Sequence, residues 1–233
     1  AIEHADSPAL GRDAGVLAGA GESGVPVRAD ADAEFDVMVE FTTPAATLEH
    51  VEICRRLRRA IVIGTTGLDA QAEARVVEAA RDIPLILAAN TSVGVNLCLA
   101  LAETAASAIG ALTDIEIVEA HHRDKVDAPS GTALALGRAV AAPLGKHLDR
   151  DGVFARHGHT GARKTGAIGF STIRGGDIAG EHSVLFIGDG ERIEITHRAT
   201  DRRIFADGAI KAAKWLSQQP PGLHTMRDVL GLD

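Results

Sequence analysis

The chain is poor in aromatic residues, which make up 3% of its 233 residues, with one Trp and no Tyr. Base stacking on aromatic rings, the usual way of holding single-stranded nucleic acid, is therefore not indicated. The formal net charge of −8 also argues against nucleic acid or an anionic membrane as a general partner. No apolar run approaches the roughly 20 residues that a membrane-spanning helix needs.

Cysteine is scarce as well, since Cys54 and Cys98 are the only two. Both lie in apolar, helix-like surroundings without metal-type spacing, so we expect buried, reduced thiols in a cytoplasmic protein. His157 and His159 form a pair, but no Cys or carboxylate nearby completes a recognisable ligand set. We therefore expect no metal site.

Hydrophobic residues make up 45% of the chain, enough to bury a core. In the first half, short apolar runs alternate with helix-length segments, which is typical of parallel strands joined by helical crossovers. The predicted strands are 35–41, 60–63 and 83–89, and the predicted helices are 44–59 and 69–81. In such a sheet the ligand lies at the carboxyl ends of the strands.

The second half has a different pattern. A long helix is predicted from Ser92 to about Ala111, and then strands at 114–120, 165–174, 181–187 and 191–197 surround one further helix. Gly188-Asp-Gly190 is a hairpin signal. We therefore predict a mixed or antiparallel sheet here, a polar loop over 146–164, and a return helix over 204–217.

A G-x-G-x-x-G match occurs at Gly19–Gly24. This motif binds a dinucleotide only where it follows a strand and opens a helix. Here the extended segment Val25–Val27 follows, and no helical pattern begins. We interpret the match as a glycine loop.

The most informative stretch is a polar loop between the strand at 114–120 and a helix at 132–141. It runs Glu119-Ala-His-His-Arg-Asp-Lys-Val-Asp-Ala-Pro-Ser-Gly-Thr-Ala133. Ser130 is a natural N-cap, so the backbone N–H groups of Gly131 and Thr132 would face an anion. The residues alone leave two interpretations open: a site for an anionic substrate with an acid/base nearby, or a solvated charged loop.

This stretch resembles the signature of the 4-hydroxy-tetrahydrodipicolinate reductases of the diaminopimelate route to lysine. Other segments resemble the same family in order and extend the resemblance over essentially the whole chain: 64–67, 90–96, 158–161, 180–182 and 194–197. The resemblance implies NAD(P)H-dependent reduction of 4-hydroxy-tetrahydrodipicolinate to tetrahydrodipicolinate.

The resemblance also implies residue roles. His121 is the acid/base and Lys125 supports the same step, while His122, Gly131 and Thr132 hold the substrate. From the sequence itself, because adjacent loop residues need not face the same way, we expect Arg123 to form a structural ion pair, and Asp127 and Ser130 to cap and shape the loop. The implied cofactor contacts, to NADH or NADPH, are Glu3, His4, Gly64, Thr65, Thr66, Ala88, Ala89, Asn90, Thr91 and Arg202.

Ala1–His4 is predicted to be the tail of a strand, with Glu3 on the adenosine ribose hydroxyls. His4 takes the place where Arg would hold a 2′-phosphate, and a neutral His binds phosphate more weakly, so we expect a preference for NADH. No segment matches the family's Gly-rich turn. We therefore expect the first strand and that turn to be missing, and the 233-residue chain to bind NADH poorly.

The predicted fold class is α/β. Residues 1–91 and 203–233 would form a Rossmann-like parallel-sheet domain, and residues 92–202 an α+β domain for substrate binding and oligomerisation. The uncovered sheet face and the resemblance imply a homotetramer. Two alternatives remain: a two-domain NAD(P)-dependent amino-acid semialdehyde dehydrogenase, disfavoured by the lack of an active-site-like Cys, and a non-catalytic ligand-binding module.

Overall fold

The computed structural model describes residues 1–31 and 34–232. The N-terminal segment contains one short helix, α1 (Ala14–Leu17), and single bridges from Ile2 to Arg28 and from Asp13 to Pro26. The predicted strand over Ala1–His4 is thus reduced to one bridge, because its pairing partner is an irregular segment. The glycine-rich stretch is a loop, as predicted, and no helix follows it.

The first sheet is built from alternating strands and helices: β1 (Val37–Glu40), α2 (Pro44–Leu57), β2 (Ala60–Ile63), α3 (Ala70–Ala79) and β3 (Pro84–Leu87). The strands pair in parallel, β1 with β2 and β2 with β3. Thr43 and Asp69 cap α2 and α3 by accepting a backbone N–H from three residues ahead. All four residues of β2 are buried, as its apolar sequence predicts.

The second sheet follows α4 (Val93–Ile109). Its elements are β4 (Asp114–His121), α5 (Gly131–Ala141), a 3₁₀ turn (Ala142–Leu144), α6 (Leu148–Asp151), β5 (Gly152–Val153), β6 (Ile168–Arg174), β7 (Gly180–Ile187) and β8 (Arg192–Ala199). The strand order is β5-β6-β4-β7-β8. β4 pairs with β6 in parallel and with β7 antiparallel, so the sheet is mixed, as predicted.

Two short elements lie where the sequence predicted only loop. α6 and β5 fall within 146–164, and β5 pairs in parallel with the start of β6 through Gly152 and Val153. Two residues are too few to show the alternation of apolar and polar side chains that predicts a strand. β5 is therefore determined by its pairing with β6 and not by its own sequence pattern.

The chain returns to the first sheet after β8. It forms α7 (Arg203–Leu216), β9 (Gly222–His224), which pairs in parallel with β3, and α8 (Met226–Leu230). Ala212 and Leu216 of α7 pack with Val62 and Ile86 of the sheet in one core cluster. Within the described residues, no helix combines the length and the apolar character required to cross a membrane.

One glycine lets α7 approach the first sheet closely. A Cβ atom built on Gly208 would lie 1.9 Å from the carbonyl oxygen of Thr91. The Thr91 hydroxyl also donates to the carbonyl oxygen of Phe205 at 2.7 Å. Backbone therefore packs directly on backbone where the chain leaves β3, and this fixes the start of α4 relative to α7.

Candidate active site

The carboxyl end of β4 places Glu119 and His121 on the face that α4 and α5 cover. Ile115 and Ile117 precede them on the same face and belong to the core, because alternate residues of a strand share a face. Glu119 is 1% exposed and His121 is 9% exposed. The Nδ1 atom of His121 lies 2.6 Å from Oε2 of Glu119. The strand thus delivers a buried carboxylate and a histidine as a contacting pair.

Arg174 binds both oxygens of this carboxylate. Its two terminal nitrogens donate to Glu119 at 2.7 and 2.8 Å, and β6 places Arg174 opposite His121 in the register. The backbone N–H of Ser130 donates a further bond at 3.1 Å. Burial alone would raise the pKa of Glu119, but the bonds from Arg174, His121 and Ser130 outweigh it and lower that pKa. Glu119 is therefore an anion at neutral pH.

Helix α5 begins directly above this pair. Ser130 is its N-cap, as predicted, and its hydroxyl accepts the backbone N–H of Ala133 at 3.2 Å. A Cβ atom built on Gly131 would meet no atom within 4 Å, so the space in front of the first turn is open. The free N–H groups of this turn suit an anion such as a carboxylate.

His182 of β7 completes the histidine group. Its ring lies 5.0 Å from the His121 ring in an edge-to-face arrangement, and its Nε2 lies 2.8 Å from Oγ of Ser130. Burial, with a smaller contribution from His121, lowers the pKa of His182 to about 4. The charge of Lys125 acts in the same direction. His182 is therefore neutral at physiological pH, and His121 and Lys125 both lie close to it.

The predicted residues of the loop after β4 differ in their contacts. Lys125 forms an ion pair with Asp127 at 2.7 Å, and Arg174 donates to the Asp127 carbonyl oxygen. The backbone N–H of His122 donates to the Ile178 carbonyl oxygen, while its side chain is half-buried. The prediction of an ion pair for Arg123 is wrong: its side chain is exposed and makes none within the described part of the chain, because the loop turns it to solvent.

The carboxyl ends of the first sheet meet at a second buried carboxylate, Glu40, which is 2% exposed. The hydroxyls of Thr65 and Thr47 donate to it at 2.6 and 2.9 Å, and that of Thr42 donates as well. Thr65 also accepts the backbone N–H of Thr42. The Thr65 side chain is thus occupied within the protein, and Thr66 beside it is exposed.

The remaining predicted cofactor residues are distributed unevenly. Gly64 lies against the Phe41 ring, and Ala88 and Ala89 follow β3 with small side chains. Thr91 is buried, and its hydroxyl is occupied by α7. Glu3, His4 and Arg202 are exposed, and within the described residues the Arg202 side chain makes no hydrogen bond or ion pair.

Asn90 connects the two sets of predicted residues. Its side-chain amide donates to the Thr132 hydroxyl at 3.1 Å, and its Oδ1 accepts the backbone N–H of Ser92 at 2.9 Å. The strand ends of the first sheet therefore meet the helix start of the second. Because Asn90 supplies a donor to Thr132 Oγ1, the Thr132 proton remains available for another acceptor.

No group of side chains in the described residues could hold a metal ion, and His157 and His159 are both exposed. Sequence reasoning missed three contacting groups: Glu119, Arg174 and His182. Glu119 had a usable signal, since it precedes His121 by two residues on a strand and must share its face. Arg174 had none, because its position depends on the register of a strand distant in sequence. His182 lies in the segment 180–182 that resembles the family, but nothing in the sequence showed that it would contact Ser130 and His121.

Two family models match this chain. One is described as dihydrodipicolinate reductase, N-terminus, and matches residues 1–91; the other is described as dihydrodipicolinate reductase, C-terminus, and matches residues 94–230. The second match alone covers more than half of the chain.

Solved structures show the same architecture. A dipicolinate-bound dihydrodipicolinate reductase from Paenisporosarcina sp. TG-14 is 23% identical, covers 96% of this chain and 85% of its own, and has a TM-score of 0.72. An amine dehydrogenase from Mycobacterium smegmatis is 14% identical, with coverage of 97% and 87% and a TM-score of 0.57. At these identities the likeness concerns the fold.

Proposed function

This chain belongs to the dihydrodipicolinate reductase family, and from that premise we propose which of its residues bind the substrate and cofactor and which transfer the proton. It is an NAD(P)H-dependent oxidoreductase of lysine biosynthesis that reduces 4-hydroxy-tetrahydrodipicolinate to tetrahydrodipicolinate. The observation that carries the residue assignment is the Asn90–Thr132 hydrogen bond, which joins the carboxyl ends of the first sheet to the mouth of α5.

His121 and Lys125 are the catalytic residues. The substrate loses water, and addition of hydride and a proton to the resulting conjugated ring gives the product. Hydride addition builds negative charge on the neighbouring carbon and on the ring nitrogen, so a proton donor and a positive charge must lie close. His121 holds that proton in a buried place beside the anionic Glu119. Lys125 supplies the positive charge or a second proton, exchanging its bond to Asp127 for the substrate.

The mouth of α5 holds a substrate carboxylate. Gly131 and Thr132 present backbone N–H groups at the first turn, and the Thr132 hydroxyl adds a donor that Asn90 orients. His122 binds the same substrate from the loop that follows β4. These positively polarised groups surround a small dicarboxylate from two sides.

The first sheet fits a nicotinamide dinucleotide at its carboxyl ends. Thr66 and Ala89 are exposed there, and Gly64 and Ala88 offer backbone without bulky side chains. We assign cofactor contacts to these four residues and to Asn90, and also to the backbone of Thr65 and Thr91, whose hydroxyls are already occupied. Arg202, Glu3 and His4 complete the assignment. When bound, the cofactor supplies the hydride.

The cofactor assignment predicts a preference for NADH. Glu3 accepts from two ribose hydroxyls but repels a 2′-phosphate, and exposed His4 offers a weaker phosphate contact than Arg. In the complete protein, kcat/KM is expected to be higher with NADH than with NADPH in steady-state assays, and His4→Arg is expected to narrow the gap. Equal or better efficiency with NADPH would contradict the assignment.

Replacing Gly131 by Ala tests the carboxylate site. The new methyl group meets no protein atom, so the protein is expected to fold with unchanged or slightly higher stability, by about 0.5 kcal/mol. The methyl group enters the space where the carboxylate would sit, so KM for the substrate is expected to rise by about tenfold, the effect of losing one good contact.

Thermal unfolding and substrate titration of the same variant separate the two effects. Ala139→Gly is the control, because Ala139 lies on the same helix away from its first turn. This variant is expected to be less stable than the wild type and to keep the same KM. An unchanged KM in Gly131→Ala would place the carboxylate elsewhere.

We also propose the domain division and the assembly. Residues 1–91 and 203–233 form the dinucleotide domain, since α7 and β9 pack with the first sheet, and residues 92–202 form the substrate and oligomerisation domain. The face of the second sheet opposite α4 and α5 carries half-buried Val118 and Leu185 and exposed Ile173. A homotetramer in the cytoplasm covers this face; light scattering that shows a stable monomer excludes the tetramer.

A further inference from the structure

Glu119 is 1% exposed and contacts donors from four residues. Arg174 donates to both carboxylate oxygens, the Ser130 backbone N–H donates to Oε1, and His121 Nδ1 contacts Oε2. Thr172 lies at the longer distance of 3.4 Å. Because a carboxylate in this state only accepts hydrogen bonds, the atom of His121 that faces it must carry a proton.

This requirement determines the state of the His121 ring. Nδ1 carries a hydrogen in both the neutral and the charged ring, so Nε2 is the nitrogen that gains and loses a proton. A Cβ atom built on Gly180 would lie 3.1 Å from Nε2, closer than side chains normally pack. Gly180 therefore keeps the space beside Nε2 clear, and the ring presents its reactive nitrogen away from Glu119.

Charged and titratable groups lie around this pair on several elements. Arg174 of β6 pairs with Glu119, the His182 ring of β7 lies edge-to-face against His121, and the first turn of α5 donates through Ser130. The charge of Lys125, in the loop, acts on His182. Arg174 favours the anionic Glu119, and His182 is neutral. Among these groups Glu119 is the only anion in contact with the His121 ring.

We infer that Glu119, held by Arg174, is the positioning residue that keeps His121 in the Nδ1–H form. The inference rests on the proposed role of His121. Glu119 touches no reacting atom and acts through the ring. The arrangement parallels the carboxylate that orients histidine in a Ser-His-Asp triad, where loss of the carboxylate charge leaves the wrong tautomer.

The direct test is the tautomer of His121 in the complete wild-type protein. Two-dimensional ¹H–¹⁵N spectra of histidine side chains distinguish Nδ1–H from Nε2–H, and the His121 signals are identified by their loss in His121→Gln. The expected result is the Nδ1–H form at alkaline pH. The Nε2–H form would overturn the inference, whatever any variant does.

Glu119→Gln adds a kinetic readout. A glutamine amide can donate to Nδ1 and reverse the tautomer, so kcat is expected to fall on the order of 100-fold. KM for both substrates is expected to change less than about threefold, because no substrate contact is removed. The pH profile of kcat/KM is expected to change as well, since Glu119→Gln removes the anion that contacts the His121 ring.

Glu119→Asp keeps the charge and is expected to recover part of the loss, which a merely structural role would not require. Glu116→Gln is the matched control, since Glu116 lies on the same strand, faces the opposite side and pairs with Arg156 and Arg163. It is expected to keep kcat, the pH profile and the tautomer. An unchanged tautomer and pH profile in Glu119→Gln would overturn the inference.

These outcomes separate the inference from the proposed function. If His121→Ala costs little activity, the role of His121 is wrong, but the tautomer still reports whether Glu119 orients the ring. If His121→Ala lowers kcat strongly but Glu119→Gln leaves kcat, the pH profile and the His121 tautomer unchanged, only the positioning role of Glu119 is wrong.

Discussion

Replacing His121 or Lys125 by Ala in the complete protein is expected to lower kcat by about 10²–10³-fold, the usual cost of removing one preorganised polar group from a closed site. The fold is expected to survive both changes. In His121→Ala the Glu119 carboxylate keeps Arg174 and the Ser130 backbone as donors, so no buried charge is left unpaired. Within the part of the chain that the structure describes, Lys125 forms its ion pair with exposed Asp127 alone.

The measurement is steady-state oxidation of NADH followed by absorbance, together with circular dichroism to confirm folding. His157→Ala and Lys211→Ala are matched controls, because each removes the same side chain from an exposed position away from the site. Both controls are expected to retain full activity. A tenfold or smaller loss in both His121→Ala and Lys125→Ala would remove these residues from the proton-transfer step.

The parallel sheet was predictable because its signals are local. Runs such as Ala60–Ile63 are apolar throughout, as buried parallel strands are, and Thr43 and Asp69 mark the starts of the helices that separate them. Ser130 was likewise recognisable as an N-cap from its own neighbourhood. Each of these depends on residues within one turn or one strand.

The contacts that complete the site are not local. Arg174 meets Glu119 only because β6 pairs with β4 in one particular register, and His182 arrives on β7 from the other side. Shifting either strand by one residue would turn both side chains to the opposite face. The sequence also could not predict that the Thr65 and Thr91 hydroxyls are occupied, since each donates to an atom far away in sequence.

Glu40 provides a second large effect, this time on stability. Burial alone would raise its pKa, but the His50 ring, with Nδ1 3.6 Å from Oε1, and hydrogen bonds from Thr42, Thr65 and Thr47 lower the pKa of Glu40 from 4.5 to about 2. Below pH 4.5 the Glu40 carboxylate is protonated in the unfolded chain but remains an anion in the folded protein until the pH approaches about 2. The stabilisation from Glu40 is therefore complete above pH 4.5 and is lost as the pH falls towards about 2.

The size of this contribution follows from the shift, about 3 kcal/mol at neutral pH, since one pKa unit corresponds to about 1.4 kcal/mol. Glu40→Gln is expected to lower the free energy of unfolding by that order at pH 7 and by progressively less towards pH 2, so the two curves converge. Urea unfolding at several pH values measures both. Glu49→Gln, an exposed carboxylate on α2, is the control and is expected to follow the wild type.

Two other acidic side chains titrate in the same pH range, but they do not affect the difference in unfolding free energy between wild type and Glu40→Gln. The pKa values of Asp13 and Asp151 are also lowered to about 2, through bonds from Ser23 and Arg150, and they are present in both proteins. Their effects cancel in the difference between wild type and Glu40→Gln. Parallel unfolding curves from pH 7 down to pH 2 would mean that the three threonine hydroxyls satisfy a glutamine as well as a carboxylate, and that the charge of Glu40 contributes nothing to the fold.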